Sequence, residues 1–260
     1  MPSRNSVKKA FKNDLIFCNG KVIPSSTFLL NDDKIDLYQN PVKQHKTFPL
    51  EFPVIFEDNY LAVIYKPAGY DVSGNKYQTI QNALSHNLTL SSSKDALAIP
   101  RPVHRLDNQT SGLLIIAKTY QAVKHLSQQF ENRQIQKEYQ CLIQSDNFKN
   151  CSSTTKIDGL EAHTSFEIIL TVQNKYLGDI TYLKAIPKTG RRHQIRKHLA
   201  EMGFPILGDK VYGEHYSKGL FLFAFSITFV HPVTGKEMFL ELPVPKKFNN
   251  ILTRTHGKEE

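Results

Sequence analysis

Cysteine is scarce. The 260 residues hold three, Cys18, Cys141 and Cys151, an odd number without CxxC spacing, which supports neither a disulfide framework nor a zinc site. Long apolar runs are missing too. A membrane helix needs ~20 consecutive apolar residues, and the longest apolar-leaning stretch, residues 220–230, is broken by Ser226 and Thr228. The opening MPSRNSVKKAFKND lacks the apolar core of a secretory signal, so a cytoplasmic protein is expected. Acidic residues disappear between Ile180 and Ala200, a stretch that carries Lys184, Lys188, Arg191, Arg192, Arg196 and Lys197. A solvated face ordinarily mixes both signs, so this one-sign stretch points to a phosphate-facing surface. The net charge of +9 and pI near 9.3 agree with a polyanionic partner such as nucleic acid.

The pattern divides the chain. In residues 1–46 a short basic helix over residues 6–11 precedes two strands around Asn19-Gly20, both of which tolerate positive φ in a tight hairpin. A second turn at Asp32-Asp33-Lys34 leads into a strand over residues 35–38. Residues 39–49, with two prolines and no periodicity, read as a linker. From Pro53 onward strands and helices mix. Residues 54–56 and 61–65 form a hairpin. Thr79 and Thr119 cap helices that run to about Asn87 and Arg133. Residues 113–117 are a buried strand, and 165–172, 181–186, 220–230 and 237–242 are further strands. Residues 193–202 form a helix with Ile195, Leu199 and Met202 on one face and Gly203 as its stop. Strands outnumber helices and many are joined by hairpins. The expected class is α+β, a largely antiparallel mixed sheet flanked by helices, with a small N-terminal α/β module.

Five segments carry chemistry. HRLDNQTSGLLIIAK, residues 104–118, sets Asp107 in a polar loop that runs into a buried strand, where a carboxylate can act as nucleophile or base or merely cap a turn. GRRHQIRKHL, residues 190–199, opens at Gly190 and puts Arg192 and Arg196 on one helix face. One arginine can reach a carboxylate while others meet phosphates, or the whole face can simply be solvated. His193 and His198 stand five apart, poor spacing for a metal. VIYKPAG (63–69) is a strand and turn, and QKEYQCLI (136–143) sets Tyr139 on a strand. GFPILGDKVYG (203–213) fits neither the dinucleotide nor the Walker phosphate loop and reads as a turn.

In this order the five segments resemble the RluA-type family of pseudouridine synthases over residues 53–245. Residues 1–38 resemble the α-L RNA-binding motif of small-subunit ribosomal proteins. The resemblance implies an RNA-binding module at 1–46, a linker at 47–52, a catalytic domain at 53–250 and a basic tail at 251–260. It implies that Asp107 is the catalytic aspartate and that Arg105 fills the gap left by a flipped nucleotide. Tyr139 would pack against the target base, Arg196 would pair with the catalytic carboxylate, and Leu106 and Ile195 would line the pocket. Arg4, Lys8, Lys9, Lys12, Lys21, Arg191, Arg192 and Lys197 are the expected RNA contacts. Three places depart from the family's usual pattern: Arg192, Phe223 in LFLFAF, and residues 70–77.

The implied reaction breaks the bond from uracil nitrogen to ribose, turns the base and rejoins it through carbon. Nothing is oxidised and no phosphate moves, so neither cofactor nor metal is required. The carboxylate either attacks the sugar or takes a proton from it, and both need it ionised; a neighbouring arginine favours that form against desolvation. Extruding the base costs a few kcal/mol, which stacking at ~1–3 kcal/mol per base can offset. Expected partners are ribosomal RNA first and transfer RNA second, with no membrane and a monomeric chain. Two other readings stand beside this one: a non-catalytic RNA-binding assembly protein, and a glycoside hydrolase, which would need a second acid near Asp107.

Overall fold

The computed structural model describes residues 4–38 and 47–254. The chain forms two compact units, Met1–Lys46 and Thr47–Glu260.

In the first unit, helix α1 (Arg4–Lys12) precedes a three-stranded antiparallel sheet of order β2-β1-β3, built from β1 (Ile16–Cys18), β2 (Lys21–Val22) and β3 (Ile35–Leu37). Asn19 (φ 50°) and Gly20 (φ 78°) turn the hairpin. The Asn19 side chain donates to Asp33 Oδ1 at 2.8 Å and accepts from Lys34 N at 3.0 Å, which ties the two turns together. Val7, Ala10 and Phe11 form the half-buried side of α1, while Arg4, Lys8, Lys9 and Lys12 are exposed, as is Lys21 on β2. Of the expected linker, residues 39–46 lie outside the described residues. Residues 47–52 belong to the second unit instead. Phe52 is buried with Phe48 and Leu50 packed beside it, and Asn87 clamps the segment, donating to Leu50 O at 2.8 Å and accepting from Phe52 N at 3.1 Å.

The second unit is built on a ten-stranded sheet. Its elements in chain order are β4 (Val54–Glu57), β5 (Leu61–Lys66), α2 (Ile80–Asn87), β6 (Ala96–Pro102), β7 (Ser111–Thr119), α3 (Tyr120–Glu131), β8 (Gln136–Gln144), β9 (Cys151–Ser153), β10 (Thr164–Asn174), β11 (Gly178–Pro187), α4 (Gln194–Glu201), β12 (Leu222–Val230), β13 (Glu237–Glu241) and α5 (Lys246–Leu252). The order is β4-β5-β7-β12-β8-β11-β10-β9, with β13 beside β12 and β6 beside β7. Thr79 and Thr119 cap α2 and α3 by accepting from the backbone N–H groups of Asn82 and Ala122. Strand β7 is buried along its whole length. Its alternating side chains feed two cores: Leu113, Ile115 and Ala117 one, Leu114 and Ile116 the other. A strand covered on both faces reads as a continuous apolar run for this reason.

Every strand pair is antiparallel except β7 with β12, which meet only at Ser111–Phe223 and Gly112–Ala224. This parallel seam joins the two halves of the sheet. Gly112 has φ +124°, and a Cβ there would lie 2.2 Å from Ala224 O, so the close approach requires glycine.

Two strands are absent from the periodicity. β6 contains Pro100 and Pro102, which argue against a strand, yet it lies at an edge where proline is tolerated; β9 is three residues long. The chain end also differs from a tail starting at 251. Helix α5 continues to Leu252, Ile251 is buried, and Asn174 Nδ2 donates to Ile251 O at 2.6 Å. Residues 255–260 lie outside the described residues.

Candidate active site

A cleft of about 530 Å³ opens at the seam. One wall is the loop from β6 to β7, with Val103 to Asp107 and Thr110; the other is β8 and the loop from β11 into α4.

Asp107 sits in a turn closed by a hydrogen bond from Thr110 N to Asp107 O at 3.1 Å. A buried lysine fixes the turn. Lys66, at the end of β5, is sealed from solvent and donates from Nζ to the carbonyls of Pro67 (2.9 Å), Asn108 (3.0 Å) and Thr110 (2.8 Å). Burial pulls Lys66 down to about 8, while Asp107 and Asp71 act to hold it up. On the strand side His104 Nε2 accepts from Ile115 N at 2.9 Å, and burial keeps its ring neutral, lowered to about 3.

The facing wall is built around Gln194. Its Oε1 accepts from Thr189 Oγ1 (2.7 Å) and Arg191 N (3.0 Å), and its Nε2 donates to His163 O and Thr164 Oγ1, both at 2.9 Å. The left-handed residue that turns the chain into α4 is His193, φ 55°, rather than Gly190, so the helix begins one residue later than the periodicity suggests. A non-glycine residue in this conformation is held by its surroundings. Here His193 Nδ1 lies 3.0 Å from Tyr212 Oη and Nε2 lies 3.8 Å from Asp107 Oδ1. Burial is the largest influence on His193 and lowers its pKa; Asp107 opposes this, and Arg196 and Arg192 reinforce it.

Arg196 does not take Asp107 as its primary partner. Its fork closes on Asp209, Nε to Oδ2 at 2.7 Å and Nη2 to Oδ1 at 2.7 Å. Nη1 is left facing Asp107 Oδ2 at 3.9 Å. Asp209 is fully buried, and its Oδ1 also accepts from the backbone N–H of Val211 and Tyr212. Burial alone would raise the Asp209 carboxyl; the Arg196 and backbone hydrogen bonds overcome it and leave the pKa lowered. The Tyr212 ring lies 5.2 Å from Arg196 Cζ. The guanidinium is thus fixed before any substrate arrives, with one N–H edge aimed at the carboxylate.

Tyr139 lies on β8 between Ala185 of β11 and Ala224 of β12. Burial first and Asp107 second push its hydroxyl far up, so it remains a phenol. Leu106 and Ile195 are buried and line the cleft, and exposed Arg105 lines its mouth with Arg192. Arg191 lines it too, with Nε donating to Glu161 O at 3.0 Å. Lys197 is not in the lining and pairs with Asp158 at 2.8 Å. His198 is buried against Thr164 and Thr155, so the two histidines do not converge. Phe223 is core.

Asp209, Tyr212, His193 and Lys66 lie within the quoted segments, but the sequence assigns none of them a role in the site. Gly208, φ +78°, marks the turn before Asp209: a Cβ there would lie 2.1 Å from Gly219 O. Asp209 is a second acid beside the same arginine, yet it is committed to Arg196 and sealed from solvent.

The family model for RNA pseudouridylate synthases matches residues 60–201. The Haemophilus influenzae dual-specificity RNA pseudouridine synthase RluA is 33% identical, over 73% of this chain and 93% of its own. The Buchnera aphidicola ribosomal large subunit pseudouridine synthase D is 32% identical, over 96% and 89%. The human RNA pseudouridylate synthase domain containing 4 shares the fold, with TM-score 0.57 and 21% identity over 77% of this chain and 92% of that one. The matched segment carries the Asp107 turn, Tyr139 and Arg196, and with it the chain belongs to the RluA-type RNA pseudouridine synthases, which are isomerases.

Proposed function

We propose that this enzyme converts specific uridines of large-subunit ribosomal RNA to pseudouridine, with Asp107 as the catalytic carboxylate. The observation that carries this reading is the setting of Asp107, fixed by the Lys66 staple on one side and faced by the preorganised Arg196 edge on the other. The cleft of about 530 Å³ falls within the ~300–1,000 Å³ typical of small-ligand sites. The target uridine leaves its stack and enters with its ribose C1′ toward Asp107. The N1–C1′ bond breaks, the base turns, and C5 bonds to C1′. C5 loses its proton and N1 gains one, so atoms and electrons balance without an external reagent. Asp107 acts by addition to the sugar or by removal of a sugar proton, with the Arg196 Nη1 edge facing its Oδ2. Tyr139 stacks on the base as a neutral phenol, Leu106 and Ile195 wall the pocket, and Arg105 occupies the vacated stack.

Ribosomal RNA is preferred because of the first unit. Its exposed Arg4, Lys8, Lys9, Lys12 and Lys21 offer phosphate contacts, with Arg191 and Arg192 supplying more at the cleft. The large-subunit relative aligns along 96% of this chain, the dual-specificity one along 73%. Transfer RNA is the second reading; a relative named as dual-specificity leaves room for a second class of RNA. The enzyme acts as a cytoplasmic monomer; among the described residues no helix is long and apolar enough to cross a membrane. The test is tritium release from RNA labelled at uridine C5, with pseudouridine mapping of total RNA. Wild-type protein releases tritium from large-subunit RNA, and Asp107→Asn binds RNA with unchanged affinity but releases none. Turnover by pure Asp107→Asn removes the assignment, and sites mapped only to transfer RNA move the substrate.

A further inference from the structure

The buried and half-buried lysines Lys66, Lys118 and Lys247 of the second unit have close partners. Lys66 donates to three carbonyls within 3.0 Å. Lys118 pairs with Glu57 and bonds Asp58 O, both at 2.6 Å. Lys247 bonds Leu220 O at 2.6 Å and faces the rings of Phe221 and Phe248. Lys137 is the exception. It lines the cleft, half-buried, and its ammonium has one long contact, Thr189 O at 3.4 Å. Among the described residues no carboxylate forms an ion pair with it. Burial lowers its pKa, and its charge helps to keep His104 neutral.

Cations predominate in its surroundings. Arg133, Lys188, Arg191 and Arg192 line the same cleft, and beside Asp107 the single acid in the lining is exposed Glu131. A desolvated cation among other cations is costly unless an anion completes the set. Its place on β8 says where that anion lies. Side chains two apart on a strand share a face at roughly 6–7 Å, so Lys137 stands beside Tyr139, about one nucleotide step from the base-stacking ring. Glu138 points to the opposite face, toward Lys184 and Glu167.

We propose that Lys137 grips a backbone phosphate of the RNA strand next to the target uridine. The inference rests on reading the cleft as the uridine site. It assigns the lysine to holding the strand while the base turns, a role separate from the chemistry at Asp107.

The test measures affinity of the full-length protein for a uridine-containing RNA hairpin across a tenfold range of salt, for wild type, Lys137→Met and Lys137→Arg. Lys236→Met, at an exposed turn away from the cleft, is the control. Each phosphate contact contributes about 0.7–0.9 to the slope of log affinity against log salt. Lys137→Met should lose that much slope, so that its deficit against wild type shrinks by about 5–8-fold from the low to the high end. Lys137→Arg should restore the slope, and the control should leave it unchanged. Lys137→Met should also fold with undiminished thermal stability, because it removes an unpaired buried charge. An unchanged slope in Lys137→Met overturns the proposal, and so does its failure to fold, which would give the ammonium a structural role. Wild-type protein that neither binds nor modifies RNA defeats the functional reading itself, whereas a wild type that does both beside an unchanged Lys137→Met slope defeats only this inference.

Discussion

Asp209→Asn keeps the shape of a side chain that solvent does not reach and removes the charge that fixes Arg196. Two 2.7 Å hydrogen bonds join the pair, and breaking a buried ion pair from one side costs about 3–5 kcal/mol. Asparagine retains one acceptor oxygen, so the expected loss is about 2–4 kcal/mol, or roughly 4–16 °C in Tm at the ~2–4 °C per kcal/mol of a domain this size. The effect on turnover arises from a different change. Arg196 Nη1 now stands 3.9 Å from Asp107, and without Asp209 the guanidinium can fold onto Asp107 and occupy the carboxylate that must react. Misplacement by about 1 Å at a reacting group costs on the order of 10²-fold, and kcat should fall by that factor with little change in RNA affinity. Arg196→Lys should behave similarly, since an ammonium cannot span both Asp209 oxygens. The assay is single-turnover tritium release with thermal unfolding of both single variants and the double variant. The double should be little worse than either single, a coupling of at least ~1.5 kcal/mol for residues in direct contact. Strictly additive effects, or wild-type Tm and kcat in Asp209→Asn, refute the shared-arginine account. The pH dependence has a definite sign: the folded pKa of Asp209 is lowered, so its contribution is complete above the unfolded value near 3.9 and is lost as pH falls through the lower, folded one.

Lys66 titrates in the opposite window. Its folded pKa falls from 10.5 to about 8, so the unfolded chain holds the proton longer and stability should rise between about pH 8 and 10.5; Lys247, also lowered to about 8 by burial, adds to the same window, so in Lys66→Met the rise should shrink in denaturant titrations, and an undiminished rise would refute the role of Lys66. Thr110 Oγ1 is buried without a hydrogen-bond partner, so Thr110→Val should match or exceed wild-type stability, and a drop of more than ~1 kcal/mol in urea unfolding would mean that the hydroxyl is bonded after all. Deleting residues 1–46 should weaken binding to large RNA and flatten its salt dependence, while saturated turnover on a short substrate survives; unchanged affinity and slope would remove the RNA-gripping role of the first unit.

What could be read from the sequence is what neighbouring residues decide. Thr79 and Thr119 announce their helices because a cap bonds three residues ahead, and Asn19-Gly20 announces its hairpin because both positions need positive φ. That one arginine of the 190–199 segment turns inward was legible, but only the family resemblance pointed to Arg196, which α4 buries. The partner of Arg196 was not legible. Asp107 and Asp209 are both within reach of the folded guanidinium, and only the return of the chain after α4 sets Asp209 against the fork. Lys66 was hidden similarly: its three acceptors are backbone carbonyls, two of them more than forty residues away, and a carbonyl leaves no mark in a sequence. Arg105 and Tyr139 both line the cleft, but Lys197 turned outward to Asp158 because α4 presents it on the face away from the cleft.

The narrow seam between β7 and β12 has a kinetic consequence. Hairpins such as β4–β5 and β10–β11 close over short loops, whereas the seam joins Ser111 to Phe223 and must overcome the entropy of a long loop. It should form late, after each half of the sheet has condensed. Asp107 stands on one side of that join, and Arg196, His193 and Tyr139 stand on the other. In a refolding experiment the return of activity would therefore lag behind the return of strand signal, with the enzyme's own turnover serving as the clock for the final docking step.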